Sequence, residues 1–384
     1  MARPRIRIPY TDLFPPPRPV PRTASSLPGA VAALHEFLLS PPPRDRNLPG
    51  GTVVLTGAGL SVASGLSDYR GDRGTYRTNK SYRPIYYHEF LASHEARKRY
   101  WARSFLGWGA LRHAGPNAGH RAVRDLAAMG LVGRVVTQNV DSFHARAHPE
   151  LPTLELHGYL RSVVCVTCRR EMAREAMQAE LARLNPPWDE FLRRAVAEEG
   201  EGAHAIRTNP DGDAEVPGAP YTTFRYPACP TCLRDPPPGI AAVVEVDGDG
   251  AWSPTSNAGI LKPAVVMFGE NIADHVKLAA DEAIDGAGRL LVLATSLATY
   301  SAWRLVKRAK DRGMPIAVVN LGGVRGEDAF FAGLDPHQTG AQGVRVDMST
   351  DVVLPALVRE LQRNPFRRPL VADVDGGRER GTTG

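Results

Sequence analysis

Residues 52–71, TVVLTGAGLSVASGLSDYRG, constrain the fold more than any other stretch of the chain. Val53, Val54 and Leu55 form the short, β-branched apolar run of a strand buried on both faces of a parallel sheet. The run leads straight into Gly57-Ala58-Gly59, where missing side chains let backbone N–H groups approach a diphosphate. A hydride-transfer fingerprint needs a third glycine three positions on, and Val62 stands there. Ser61, Ser64 and then Asp68-Tyr69-Arg70 follow, so the loop presents polar groups to whatever it holds. Such a loop suits a dinucleotide that is consumed rather than shuttled. A plain dehydrogenase is disfavoured.

Further strand-like runs at 133–137, 154–157, 264–268, 290–294 and 316–320 alternate with helical patterns at 31–39, 118–129, 274–285, 302–311 and 351–363. The alternation predicts an α/β fold with a Rossmann-like parallel sheet. Residues 161–260 break the pattern with a charged helical run at 171–199 and a Gly/Pro/Asp-rich loop around 209–220. They read as a small zinc-binding module inserted into a nucleotide-binding domain made of 26–160 and 261–363. An Arg/Pro-rich segment (1–25), expected to be flexible, and a tail (364–384), expected to be disordered, flank it.

The four cysteines form two C-x-x-C pairs, Cys165/Cys168 and Cys229/Cys232. This spacing reads as one tetrahedral Zn2+ site rather than disulfides. Four thiolates leave no open position for water, so the ion is structural. The long insertion between the pairs must pack elsewhere or remain mobile.

The net charge of +6 does not point to nucleic acid, because the basic residues are dispersed and only six are lysine. No apolar run reaches the roughly 18 residues of a membrane span, and the first 25 residues lack the apolar block of a secretory signal. No nucleic acid and no membrane are therefore expected as partners. Residues 1–22 hold five arginines and one acid, as a transit peptide would, but their seven prolines oppose an amphipathic helix.

Thr137-Gln138-Asn139-Val140-Asp141 follows a strand-like run, at the sheet end where open α/β folds bind ligands. Its amides and carboxylate suit ribose hydroxyls and a carboxamide. The nearby His144 and His148 read as solvent-facing. His157 ends another run beside Gly158 and is well placed as a general base near neutral pH. Ala294-Thr295-Ser296 offers hydroxyls to phosphates, and Asn320-Leu321-Gly322 ends the next strand as an adenosine-ribose site does.

In order, GAGLSVASGLSDYRG, TQNVDSFHARAH, LELHG, the two CxxC pairs, KPAVVMFGE, a TSL strand end and NLG resemble the sirtuins across about residues 30–360. The runs YRPIYYHEF, RYWARSFLGW and KPAVVMFGE, with the long intercysteine insertion, are most similar to the mitochondrial sirtuin-4-type (class II) branch. The resemblance implies a protein-lysine deacylase that consumes NAD+, acts on acyl-lysine proteins and resides in the mitochondrial matrix, with cytoplasm or nucleus as alternatives. Carried over by motif, Gly57, Ala58, Gly59, Ser61, Ser64 and Asp68 through Arg70 would line the NAD+ site. Gln138 would meet the nicotinamide ribose, and Asn139 and Asp141 the carboxamide. Ala294, Thr295, Ser296, Asn320 and Gly322 would bind the adenosine half. His157, with Asn139, would carry catalysis by accepting a ribose hydroxyl proton, after which the acyl group passes to ADP-ribose. The peptide would add as a strand along Val266, Phe268 and Gly269.

Three positions depart from the family pattern. Ser67 replaces a usual proline, Ala294 a usual glycine, and Ser301 a proline that commonly follows Tyr300. Sirtuins acting on acidic acyl groups carry a tyrosine and an arginine three positions apart, and Tyr100 and Arg103 have that spacing. The pair implies a glutaryl-like acyl group, with a lipoyl or other long chain as the alternative. Two rival readings share the NAD+ site: a protein mono-ADP-ribosyltransferase and a weakly catalytic NAD-sensing scaffold.

Overall fold

The computed structural model describes residues 10–41, 50–80, 82–198, 208–236, 242–335, 337 and 340–364. The tail beyond 364 and residues 1–9 of the Arg-rich segment lie outside them. Nine strands occur among the described residues: β1 (Thr52–Thr56), β2 (Val132–Thr137), β3 (Thr153–Glu155), β4 (Gly158–Cys165), β5 (Glu171–Ala173), β6 (Leu261–Val265), β7 (Arg289–Leu293), β8 (Ile316–Val319) and β9 (Gly343–Val346). Six form one parallel sheet in the order β3-β2-β1-β7-β8-β9.

Alternate residues of the central strands feed two separate cores. Val54, Leu291, Leu293, Ala317 and Val319 pack with the helices Leu27–Leu39, Ala118–Ala128 and Thr350–Arg363. Val53, Leu55, Leu290, Val292, Ile316 and Val318 pack with Asp274–Asp285 and Tyr300–Asp311. Helices cover both faces, which is why the strands read as unbroken apolar runs. The Asn117 side chain accepts hydrogen bonds from the N–H groups of Gly119 (2.9 Å) and His120 (3.3 Å), so the helix Ala118–Ala128 begins where Pro116-Asn117 stops the preceding chain. From β1 the chain builds β2 and β3 on one side, and β7, β8 and β9 on the other. Loops after β1 and β7 therefore diverge and open a crevice at the carboxyl ends of the strands.

The run expected as a strand at 264–268 pairs instead at 261–265, antiparallel to β4, in a separate sheet of order β5-β4-β6. A short apolar run does not disclose its partner. The far edge of the parallel sheet is β9, which the sequence concealed because Arg345 interrupts it. That arginine is wholly buried, paired with Glu327 (2.6 Å) and donating to the carbonyls of Asn320 (3.0 Å) and Gly322 (2.6 Å). Within the segment expected to be flexible (1–25), Val20 N–H donates to Arg345 O (3.1 Å) at this edge, and Ala24 is buried against the first helix.

The charged run at 171–199 is β5 followed by two helices, Arg174–Leu184 and Pro186–Glu198, broken at Asn185. Met177, Leu181 and Trp188 from these helices join Trp101, Phe105, Phe224, Tyr226 and Trp252 in the core of the inserted module. The first two of this second group come from the helix His94–His113. Residues 208–214 also dock on that helix. A Cβ at Gly107 would lie 2.4 Å from the Gly212 carbonyl oxygen, and Ala214 N–H donates to Arg103 O (3.0 Å).

Candidate active site

A cleft of about 1530 Å3 opens where the β1 and β7 loops diverge. Ala58, Gly59 and Ser61 line it from the turn after β1, with Asp68, Tyr69 and Arg70 at the end of that loop. Gln138, Asn139 and Asp141 enter after β2, and His157 after β3. Ala294, Thr295 and Ser296 come from β7, and Asn320 and Gly322 from β8. Tyr100, Val266, Phe268 and Gly269 close the side facing the inserted module.

Three residues expected at the cleft are not on its wall. Gly57 sits behind it, because a Cβ there would lie 2.6 Å from the Thr295 Cβ and force the two loops apart. Ser64 accepts from Asn117 Nδ2 (3.0 Å) and fastens the turn to the next helix. Arg103 is buried and pairs with Asp213 (2.5 Å). Burial and the neighbouring Asp211 push the Asp213 carboxyl up, and the paired Arg103 guanidinium opposes them. Asp211 and Asp213 line the cleft and Arg103 does not, its guanidinium being paired with Asp213 behind the wall. The pairing of Arg103 was not legible in the sequence, because these aspartates lie 108 and 110 positions away, in the Gly/Pro/Asp-rich loop.

Gln138 ties the loops together, donating from Nε2 to Thr56 O (3.2 Å) and Thr295 Oγ1 (2.9 Å) while Oε1 accepts from Thr299 (3.1 Å). Asn139 Nδ2 donates to Ser61 Oγ (3.2 Å), and Ser61 Oγ donates to Asp141 Oδ2 (2.7 Å). Asn139 Oδ1 is buried without a hydrogen-bond partner. An orphaned acceptor beside a glycine turn fits a carboxamide N–H from a bound nicotinamide. Ala294 adopts φ +51 and its carbonyl receives Gly59 N–H (3.1 Å). A Cβ at Gly59 would stand 2.9 Å from that same oxygen, so this second glycine is fixed by packing as well as by any ligand.

His157 Nδ1 lies 3.1 Å from Gln138 O, and Nε2 lies 2.9 Å from Ser301 Oγ. Desolvation lowers its pKa to about 4, partly opposed by the Gln138 hydrogen bond, so the ring is neutral around pH 7. His144 and His148, expected to face solvent, are buried. Their ring nitrogens lie 2.9 Å apart, and His144 Nε2 reaches Thr56 Oγ1 at 2.9 Å. Thr56 donates to Thr137 Oγ1 (2.8 Å), which receives Asn139 N–H (3.1 Å). The helix Phe143–Ala147 folds both rings under the strand ends, where they brace the Asn139 loop.

The N-terminal segment forms a further wall that the sequence does not announce. Asp12, Leu13, Phe14, Pro16 and Pro17 line the cleft, and Arg70 Nε donates to Tyr10 O (2.8 Å). The prolines carried no signal beyond chain extension. Asp347, also on the wall, holds Gly322 N–H (2.8 Å) from the end of β9. Away from the cleft, the Cys165, Cys168, Cys229 and Cys232 sulfurs lie within 4.8 Å of one another. Sulfur separations of 3.6 Å (Cys165–Cys232) and 3.7 Å (Cys168–Cys229) suit four thiolates about 2.3 Å from one Zn2+.

Comparison with known proteins agrees with this geometry. The model of the Sir2 family matches residues 57–301. An NAD-dependent protein deacylase SIR4 of Batrachochytrium dendrobatidis is 43% identical over 283 residues, 73% of this chain and 83% of its own length. NAD-dependent protein deacetylase 1 of Streptomyces coelicolor is 38% identical over 74% of this chain and 82% of its own length. A solved structure described as the structural basis for the mechanism and regulation of Sir2 enzymes superposes with TM-score 0.53 at 26% identity, covering 87% of this chain and 98% of that one. With the glycine turn, the Gln138–Asp141 loop, His157 and the four-cysteine cluster all in place, the chain belongs to the Sir2 family.

Proposed function

We propose that this chain is an NAD+-dependent protein-lysine deacylase. One observation carries the reading most: the orphaned Asn139 Oδ1 and the neutral His157 share one cleft with a glycine turn at the sheet's switch point. When bound, NAD+ supplies a ribose carbon made electrophilic by its positively charged nicotinamide. Ala58 and Gly59 would hold the diphosphate, Thr295, Ser296 and Asn320 the adenosine half, and Asn139 and Asp141 the carboxamide. The unpartnered Asn139 acceptor would take a hydrogen bond from the carboxamide and so favour one ring orientation. His157 takes up a proton at Nε2 while Nδ1–H stays on the Gln138 carbonyl. The Zn2+ would hold the two CxxC turns together, far from this chemistry.

Residues 266–270 border the cleft, and Val266 N–H is bound to His157 O (2.8 Å). An extended acyl-lysine peptide would pair along this segment and place its amide next to His157. The Arg103–Asp213 pair favours a neutral acyl chain, long or lipoyl-like, over a glutaryl-like one. The mitochondrial placement rests on the Arg-rich, acid-poor N-terminus and on family resemblance.

The test uses NAD+ labelled in its adenosine half with an acyl-lysine peptide. Deacylation sends the label into small-molecule O-acyl-ADP-ribose. Label retained on protein would instead mean mono-ADP-ribosyl transfer, and no turnover would favour an NAD-sensing scaffold.

A further inference from the structure

We infer that Ser301 is a proton relay between the cleft and His157, an inference that rests on the deacylase reading above. Gln138 O only accepts, so the nitrogen 3.1 Å from it, Nδ1, carries the ring proton. A neutral ring then has its lone pair on Nε2. Ser301 Oγ stands 2.9 Å from that lone pair, and its hydroxyl must donate to it. Both nitrogens of His157 are therefore engaged before any ligand arrives.

A cleft hydroxyl reaches Nε2 only by displacing Ser301 or by acting through it. Displacement is opposed by where Ser301 sits. It lies in the first turn of the helix Tyr300–Asp311, half-buried, with Thr299 fixed to Gln138 Oε1 (3.1 Å) on one side and the buried Ala302 on the other. The Ser301 oxygen keeps free acceptor capacity, and the residue lines the cleft together with His157. A serine hydroxyl that donates to a base and accepts from the cleft is a relay by geometry. The proline commonly found here in the family has no hydroxyl for such a bond.

The step balances without a further reactant. A hydroxyl of the bound sugar loses its proton to Ser301 Oγ as the Ser301 proton passes to His157 Nε2. One O–H bond breaks at the sugar and one forms at Ser301. One O–H bond breaks at Ser301 and one N–H bond forms on the imidazole. Ser301 ends unchanged, and the new imidazolium keeps its Nδ1–H bond to Gln138.

Two readouts test the relay in the full chain, one of them without substrate. In ligand-free protein, the 15N spectrum of His157 should show a protonated Nδ1 and a hydrogen-bonded, unprotonated Nε2. In Ser301→Ala the Nε2 resonance should move to the position of an unbonded lone pair, and Ser301→Thr should restore it. A wild-type spectrum with the proton on Nε2 overturns the inference. In turnover with NAD+ and an acyl-lysine peptide, Ser301→Ala should release lysine about 10- to 100-fold more slowly, while first-turnover nicotinamide release is unchanged. The wild-type proton inventory should be curved, that of Ser301→Ala linear, and Ser301→Thr should recover most of the rate. Ser301→Ala turning over as fast as wild type, or faster, overturns the relay alone, provided His157→Ala is inactive. If His157→Ala matches wild type, the assignment of the base falls and the relay with it.

Discussion

His157 lies between a carbonyl and a hydroxyl in a desolvated pocket, and its substitution separates binding from chemistry. His157→Tyr should abolish turnover while calorimetry still detects NAD+ binding, because the Asn139 and glycine-turn contacts are untouched. Turnover retained in this variant would mean that the base lies elsewhere. Asp213 has the opposite role, masking a neighbour. Asp213→Asn should unmask Arg103 and raise the ratio of glutaryl-lysine to acetyl-lysine hydrolysis by about tenfold or more, the worth of one charge-assisted hydrogen bond. An unchanged ratio would show that Arg103 does not reach the acyl group at all. Individual residues were legible where a strand end announced them, as with Asn139, Asp141 and His157. Burial of His144 and His148 was not legible, since an HxxxH spacing on a short helix looks the same facing water or packed beneath a sheet. Ser301 was visible only as a departure from a pattern, and its partner became apparent once Tyr300–Asp311 was set against His157.

The loop 208–214 is an element whose position depends on one glycine. Gly107 lets the Gly212 carbonyl seat against the helix His94–His113, and Thr75 Oγ1 holds the loop from the other side through Asn209 Oδ1 (2.8 Å). Gly107→Ala should cost about 1–3 kcal/mol by overpacking and change acyl preference, because the loop brings Asp211 and Asp213 to the cleft. Thermal denaturation and a peptide panel would check both outcomes. A variant with wild-type stability and selectivity would mean that the loop is not seated by this contact. The central strands were readable because helices on both faces demand continuous apolar runs. The third strand of the small sheet was misassigned because Lys262-Pro263-Ala264-Val265-Val266 carries no period that reveals its partner. Arg345 hid β9, since its neutralisation by Glu327 depends on a fold that local sequence does not report.

Across the whole molecule, acid and chelators should each act on an identifiable store of stability. Burial lowers the pKa of His120 to about 3 and of His157 to about 4, and it also lowers those of His144 and His148. Unfolded histidines protonate near 6.5, so below that pH the unfolded chain binds more protons than the folded one. Stability should therefore be complete above about pH 6.5 and fall as pH drops towards 4, by up to about 1.4 kcal/mol per pH unit for each histidine. A melting temperature that is flat between pH 7 and 5 would contradict this. Metal analysis should find about one Zn2+ per chain, and its removal should unfold the inserted module, since such ions contribute about 10–16 kcal/mol to small zinc folds. The division into sheet and zinc-stapled module was legible from the alternation and the CxxC pairs. The wall formed by residues 12–17 was not, because proline-rich chain gives no sign of what it lies against.

This cleft spends NAD+ to remove an acyl group from lysine. Mass spectrometry of purified protein with NAD+ and an acyl-lysine peptide panel tests it most directly. The predicted result is nicotinamide, free-lysine peptide and O-acyl-ADP-ribose in equal amounts for at least one acyl group, and none of them with His157→Tyr. Nicotinamide formed without deacylated peptide, or no nicotinamide with any acyl group, would contradict the claim.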